Sequence, residues 1–77
     1  MRGKLNNNIR RLRFDADEMT QQELADKVGV ARQTITALEA GRYTPSLLMA
    51  FNIAHVFGVG VEEVFQFDRD GGGSEDK

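Results

Sequence analysis

Residues Gln21 to Gly41 read QQELADKVGVARQTITALEAG, and Gly29 divides them into two short helical segments. Thr20, just before the stretch, is a good N-cap, and Glu23 three residues on completes a capping box. The helix that opens there turns Leu24, Ala25 and Val28 inward, and Gly29 ends it with the left-handed backbone that a side chain resists. A second helix follows at once, with Ala31, Ile35 and Leu38 on its inner face and Gly41 at its end. Ala25 is small where the two helices cross, and Val30, Ile35 and Leu38 lock the second onto the first. A short helix, a glycine-based turn and a second helix make a helix-turn-helix. The side chains left outside on the second helix are Arg32, Gln33, Thr34, Thr36 and Ala37, several of them types that read base edges.

Outward from this unit the apolar spacing stays helical. Leu5, Ile9 and Leu12 give one face of a first helix, and Asp15-Ala16-Asp17-Glu18 interrupts the pattern. Pro45 and Ser46 open a fourth helix, with Ser46 as its cap and an expected inner stripe of Leu47, Ala50, Phe51, Ala54 and Phe57. Gly58 and Gly60 close it. A short fifth helix carries Val61, Val64 and Phe65, with Glu62 and Glu63 at its electropositive start. The chain's ends have a second use: Gly3 to Leu5 facing Gln66 to Asp68 would form a small two-stranded β-ribbon. The fold class is therefore all-α, a five-helix bundle over residues 1–67, followed by an acidic tail, 68–77, expected to be disordered.

Composition narrows the function. A chain of 77 residues buries only about 60% of the surface it exposes when unfolded, so a staple is expected. There is no cysteine, and His55 is the one histidine, expected on the outer side of its helix, so disulfides and a metal site are not expected and oligomerisation remains. Catalysis is not expected either, because the sequence has no glycine-rich phosphate loop and no histidine pair. Asp15, Asp17 and Glu18 sit in a connection, and Ser46 is used as a cap. No cofactor is implied. No run approaches the ~20 apolar residues of a membrane span, and Met1-Arg2-Gly3-Lys4 leads into no apolar signal segment, so the expected location is cytoplasmic. The net charge of −2 is carried entirely by the tail, where Asp68, Asp70, Glu75 and Asp76 outnumber Arg69 and Lys77. Residues 1–67 are balanced, and Arg32 and Arg42 stand apart from the acidic clusters, which leaves room for a local positive face.

The stretches MTQQELADKVGVARQTITALEAGRYTPSL and AFNIAHVFGVGVEEVFQ, with the Asn-Ile-Arg-Arg-Leu-Arg start, resemble the Cro/repressor-type (XRE-like) helix-turn-helix regulators across residues 6–67. The resemblance implies a lambda-repressor-like bundle whose third helix lies in the major groove of double-stranded DNA, bound as a two-fold dimer. It places Arg32, Gln33, Thr36 and Ala37 at base-reading positions. Gln21, Thr34, Arg42, Tyr43 and Thr44 fall where relatives hold the phosphate backbone. Arg13 and Glu39 occupy positions that pair in relatives. Three positions depart from the pattern: Ala31 where a Ser or Thr cap is common, Ala40 where Asn is common, and Gly60 where a better cap is frequent.

The expected function is a sequence-specific transcriptional regulator, a repressor on a two-fold operator. A protein-directed, antitoxin-like or adaptor role is the alternative, since such proteins reuse this fold. Val61, Val64, Phe65 and Phe67 are more apolar surface than a short end helix needs for its own core, so they are assigned, with Thr44, to the homodimer interface.

Overall fold

The computed structural model describes residues 3–68. Two of its helices start at a side-chain cap and end at a left-handed glycine. In chain order the elements are β1 (Lys4–Asn7), α1 (Ile9–Asp15), α2 (Gln21–Val28), α3 (Arg32–Glu39), α4 (Leu47–Phe57), α5 (Val61–Val64) and β2 (Phe65–Asp68). Thr20 caps α2: its Oγ1 accepts from the Glu23 amide at 3.0 Å, while the Glu23 carboxylate accepts from the Thr20 amide at 2.9 Å. Gly29 then turns the chain at φ 87°, and its N–H closes the helix on the Ala25 carbonyl at 2.8 Å. Ser46 caps α4 through the Met49 amide at 3.1 Å. Ala31, at the start of α3, has the extended backbone of a cap but no side-chain oxygen to offer.

Between α1 and α2 the chain passes through two left-handed residues, Asp17 and Glu18, with φ of 63° and 56°. Each costs about 1–2 kcal/mol for a residue with a Cβ. Met19 offsets this by bonding Arg13 twice, its amide to the Arg13 carbonyl at 2.9 Å and its carbonyl to the Arg13 guanidinium at 2.8 Å.

The core gathers one to three side chains from each helix: Ile9, Leu24, Ala25, Ile35, Leu38, Ala50, Ile53, Ala54 and Val64, joined by Phe65 from β2. β1 and β2 pair antiparallel, with Lys4 facing Asp68 and Asn7 facing Phe65. The ribbon expected from the chain's ends is thus present. Leu5 belongs to it, opposite Phe67, and not to the first helix, which begins at Ile9. Asp68, assigned to the tail, is the last residue of β2, while the rest of that tail lies outside the described residues. Gly3, at φ 109°, lets the Phe67 ring lie against the backbone; a Cβ there would come within 2.3 Å of the ring.

Two expectations about apolar residues are corrected. On α4, Leu47 and Phe51 face outward, 73% and 53% exposed, and the inner side is Ala50, Ile53 and Ala54. Nearly every α4 residue is apolar, so periodicity left the rotation of the helix undetermined. Packing of its Ile53 side against α2 and α5 decided it. At the other end, Val64 and Phe65 are buried in the chain's own core and Val61 packs partly against it, so this set does not form the free dimer surface assigned to it; Phe67 remains exposed. The reason is economy of size. A bundle this small needs the apolar side chains of its last turn to close its own core.

Candidate nucleic-acid interface

α3 is fastened on its inner side and open on its outer side. Ile35 and Leu38 are buried; Arg32 and Gln33 are exposed at its first turn, with no side-chain hydrogen bond among the described residues. Thr34, Thr36 and Ala37 are half-buried along the same helix, and Arg42, Tyr43 and Thr44 are exposed in the loop that leaves it. The two cations assigned to DNA thus flank α3, Arg32 at its start and Arg42 beyond its end.

A polar chain sets the position of α3. Arg13 of α1 meets Glu39 of α3 through two parallel bonds, Nε to Oε2 at 2.6 Å and Nη2 to Oε1 at 3.1 Å. The paired side chains are only 14% and 11% exposed. Gln21, at the front of α2, donates its amide to Glu39 Oε1 at 3.2 Å, and Thr36 Oγ1 lies 2.8 Å from Gln21 Oε1. The pairing of Arg13 with Glu39 that the resemblance implied is present; the structure encloses most of the pair and adds Gln21 and Thr36 to it.

Sequence reasoning missed Asn7 and Asn8 altogether. Asn7 Nδ2 donates to the Leu38 carbonyl at 2.9 Å and its Oδ1 accepts from the Ile9 amide at 3.1 Å. One side chain therefore ties the end of α3 to the ribbon and starts α1. The Asn8 amide donates to the Val64 carbonyl at 2.8 Å, and its side chain to the Glu63 carbonyl at 3.2 Å. The N-cap position itself, Asn8, makes no side-chain capping bond, so the N-terminus signal of an asparagine before an apolar run did not point to these contacts. A shallow cleft between ribbon and loop, lined by Leu5, Asn7, Leu38, Tyr43, Thr44 and Phe65, lies beside the end of α3.

A helix-turn-helix family model matches residues 9–64, from the first residue of α1 to the last of α5. The chain belongs to the XRE-like helix-turn-helix family. This helix-turn-helix protein is 54% identical over 52 residues to an HTH-type transcriptional regulator of Methanocaldococcus jannaschii, covering 68% of this chain and 79% of that one. It is 58% identical over 50 residues to a regulator of the same description from Archaeoglobus fulgidus, covering 65% and 71%. YgzD of Bacillus subtilis, also named as an HTH-type transcriptional regulator, is 43% identical over 51 residues, covering 66% and 77%. Among solved structures, a Bacteroides fragilis protein assigned to DNA binding superposes with a TM-score of 0.71 at 22% identity, covering 80% of this chain and 98% of that one. The transcriptional regulator VanUg superposes at 0.72 with 21% identity, covering 90% and 91%. These two share the fold. Among the described residues, no helix is long and apolar enough to cross a membrane.

Proposed function

We propose that this helix-turn-helix protein is a sequence-specific DNA-binding transcriptional regulator, a cytoplasmic repressor that occupies a two-fold operator as a homodimer. The observation that carries this reading is the asymmetry of α3. Its inner face is held to α1, α2 and the ribbon by buried apolar and polar contacts, while Arg32 and Gln33 stand free at its first turn. The first turn of a recognition helix is the part that enters the major groove. Arg32 suits the O6 and N7 of guanine and Gln33 the N6 and N7 of adenine, each by two hydrogen bonds. Thr36 and Ala37 follow on the same helix. Thr34, Arg42, Tyr43 and Thr44, with Gln21 at the front of α2, are assigned to phosphate, which orients the protein without carrying sequence. Gln21 has one amide N–H committed to Glu39, leaving the other and its main-chain N–H for this role. The regulators named among the relatives support the same reading.

The dimer is assigned to the exposed front of α4. Leu47 and Phe51, one turn apart, lie on one face beside Leu48, and Thr44 precedes them. Large apolar side chains exposed together mark an interface. Repression requires no more than occupancy of the operator, and no catalysis is assigned.

Selection of bound fragments from random DNA, followed by gel shift with the full chain, tests the reading. A symmetric consensus whose half-sites are centred about 10–10.5 base pairs apart is expected. Equal binding to every fragment, or none, would overturn it.

A further inference from the structure

Thr36 stands one turn after Arg32 on α3. Its Oγ1 lies 2.8 Å from Gln21 Oε1 and 3.2 Å from the Arg32 carbonyl oxygen. Both neighbours only accept hydrogen bonds, so the single hydroxyl proton is used inside the protein whichever of them takes it. The orientation of the Gln21 amide is not free to reverse. Its other end faces Glu39 Oε1 at 3.2 Å, a carboxylate that already accepts two bonds from Arg13 and can accept but not donate. The NH2 group must therefore face Glu39, the oxygen must face Thr36, and Thr36 must donate.

A hydroxyl wedged between two acceptor oxygens has no proton to offer a base. With Oγ1 turned toward α2 and back along its own helix, the other branch of the threonine is the γ-methyl. Side-chain methyl groups recognise the 5-methyl of thymine by apolar contact in the major groove. We infer that Thr36 is a specificity-determining residue that reads one thymine per half-site through its methyl group and not through its hydroxyl, with Gln21 and Glu39 as positioning residues that hold its rotamer. The inference rests on α3 being the element that enters the groove.

The experiment uses the full chain on its selected operator, with each thymine replaced in turn by deoxyuridine, which lacks only the methyl. For the wild type, one position per half-site is expected to lose roughly three- to five-fold in affinity on that replacement, the effect of uncovering about one methyl group. Thr36→Val keeps the methyl and is expected to keep the same penalty at the same position. Thr36→Ser keeps the hydroxyl and is expected to bind the thymine and uracil operators alike. Thermal melting of both variants checks that each is folded at the assay temperature. The inference is overturned if no uracil position weakens the wild type. It is also overturned if Thr36→Ser retains the thymine preference, or if Thr36→Val alone loses it. A wild type that selects no operator removes the reading of α3 itself, a result distinct from specific binding without a uracil penalty.

Discussion

Arg13 illustrates how far one side chain reaches. Its guanidinium makes a two-bond fork with Glu39 and a third bond to the Met19 carbonyl, so it joins α1, α3 and the strained turn between α1 and α2. An exposed ion pair contributes about 0–1 kcal/mol, whereas breaking a buried one costs about 3–5 kcal/mol. This pair is mostly enclosed, so Arg13→Ala should destabilise by about 2–3 kcal/mol in urea unfolding, between those ranges. Arg13→Lys should recover less than half of that, because an ammonium cannot reproduce the fork. A loss under about 1 kcal/mol would class the pair with exposed ones. Arg32, Gln33 and Arg42 are expected to behave differently, since they are exposed and serve DNA. Arg32→Ala or Gln33→Ala should cost about 1–3 kcal/mol on the operator and relax the preference at one base per half-site. Arg42→Ala should weaken operator and scrambled DNA alike and flatten the salt slope by about one unit per half-site. Equal losses for all three on both DNAs would mean that α3 is not the reader.

Among the elements, α3 is the one whose start is underbuilt. Ala31 has φ −74° and ψ 152°, the extended conformation of a cap, but its methyl leaves the first-turn amides without a side-chain acceptor. A capping oxygen is worth about 0.5–2 kcal/mol. Ala31→Ser should raise the melting temperature, by about 4–8 °C if it gains ~1 kcal/mol. Thr20→Ala, which removes a cap already formed in α2, should lower it by a similar amount. A flat response at residue 31 beside a fall at residue 20 would show that the cap geometry at α3 is wrong. On α4 the contrast lies between two faces. Ile53 is fully buried and Phe51 is 53% exposed. Ile53→Ala should cost about 2–5 kcal/mol, including the cavity it leaves. Phe51→Ala should cost about 1 kcal/mol, the share expected for a half-buried ring. Reversal of that order would restore the rotation expected from sequence.

At the scale of the whole molecule, the same rotation that removes Phe51 from the core provides the surface assigned to a second copy. Leu47 and Phe51 share a face, with Leu48 beside it, while Val64 and Phe65 are spent internally. The double change Leu47→Glu with Phe51→Glu should shift sedimentation at micromolar concentration from dimer to monomer. The helical fold should persist, because neither side chain belongs to the core. Operator affinity should fall with it, since two half-sites would then be bound separately. A variant that sediments as a dimer would move the interface away from the front of α4.

Local chemistry along the chain laid down most of the elements. Thr20 with Glu23, Ser46 and Gly29 act between residues four or fewer apart, and each does in three dimensions what its local chemistry demands, whereas the i, i+4 apolar spacing alone carried Leu5 into the first helix when it lies in β1. The sequence also indicated the exposed first turn of α3 at Arg32 and Gln33, although Ala31, expected on the inner face, is exposed as well. What it did not contain was any signal choosing among several apolar faces of α4, since a helix that is apolar nearly all round has no preferred side until neighbours press on it. The burial of Val64 and Phe65 and the attachment of Asn7 to Leu38 across 31 residues were likewise settled by packing; the link from Arg13 to Glu39 across 26, implied by the resemblance, owes only its enclosure to it. So was the direction of the Thr36 hydroxyl, which depends on Gln21 fifteen residues earlier and on the carboxylate that orients it. Hydrogen bonds and burial of this kind depend on where distant segments come to rest, and only the assembled fold brings those segments within bonding distance.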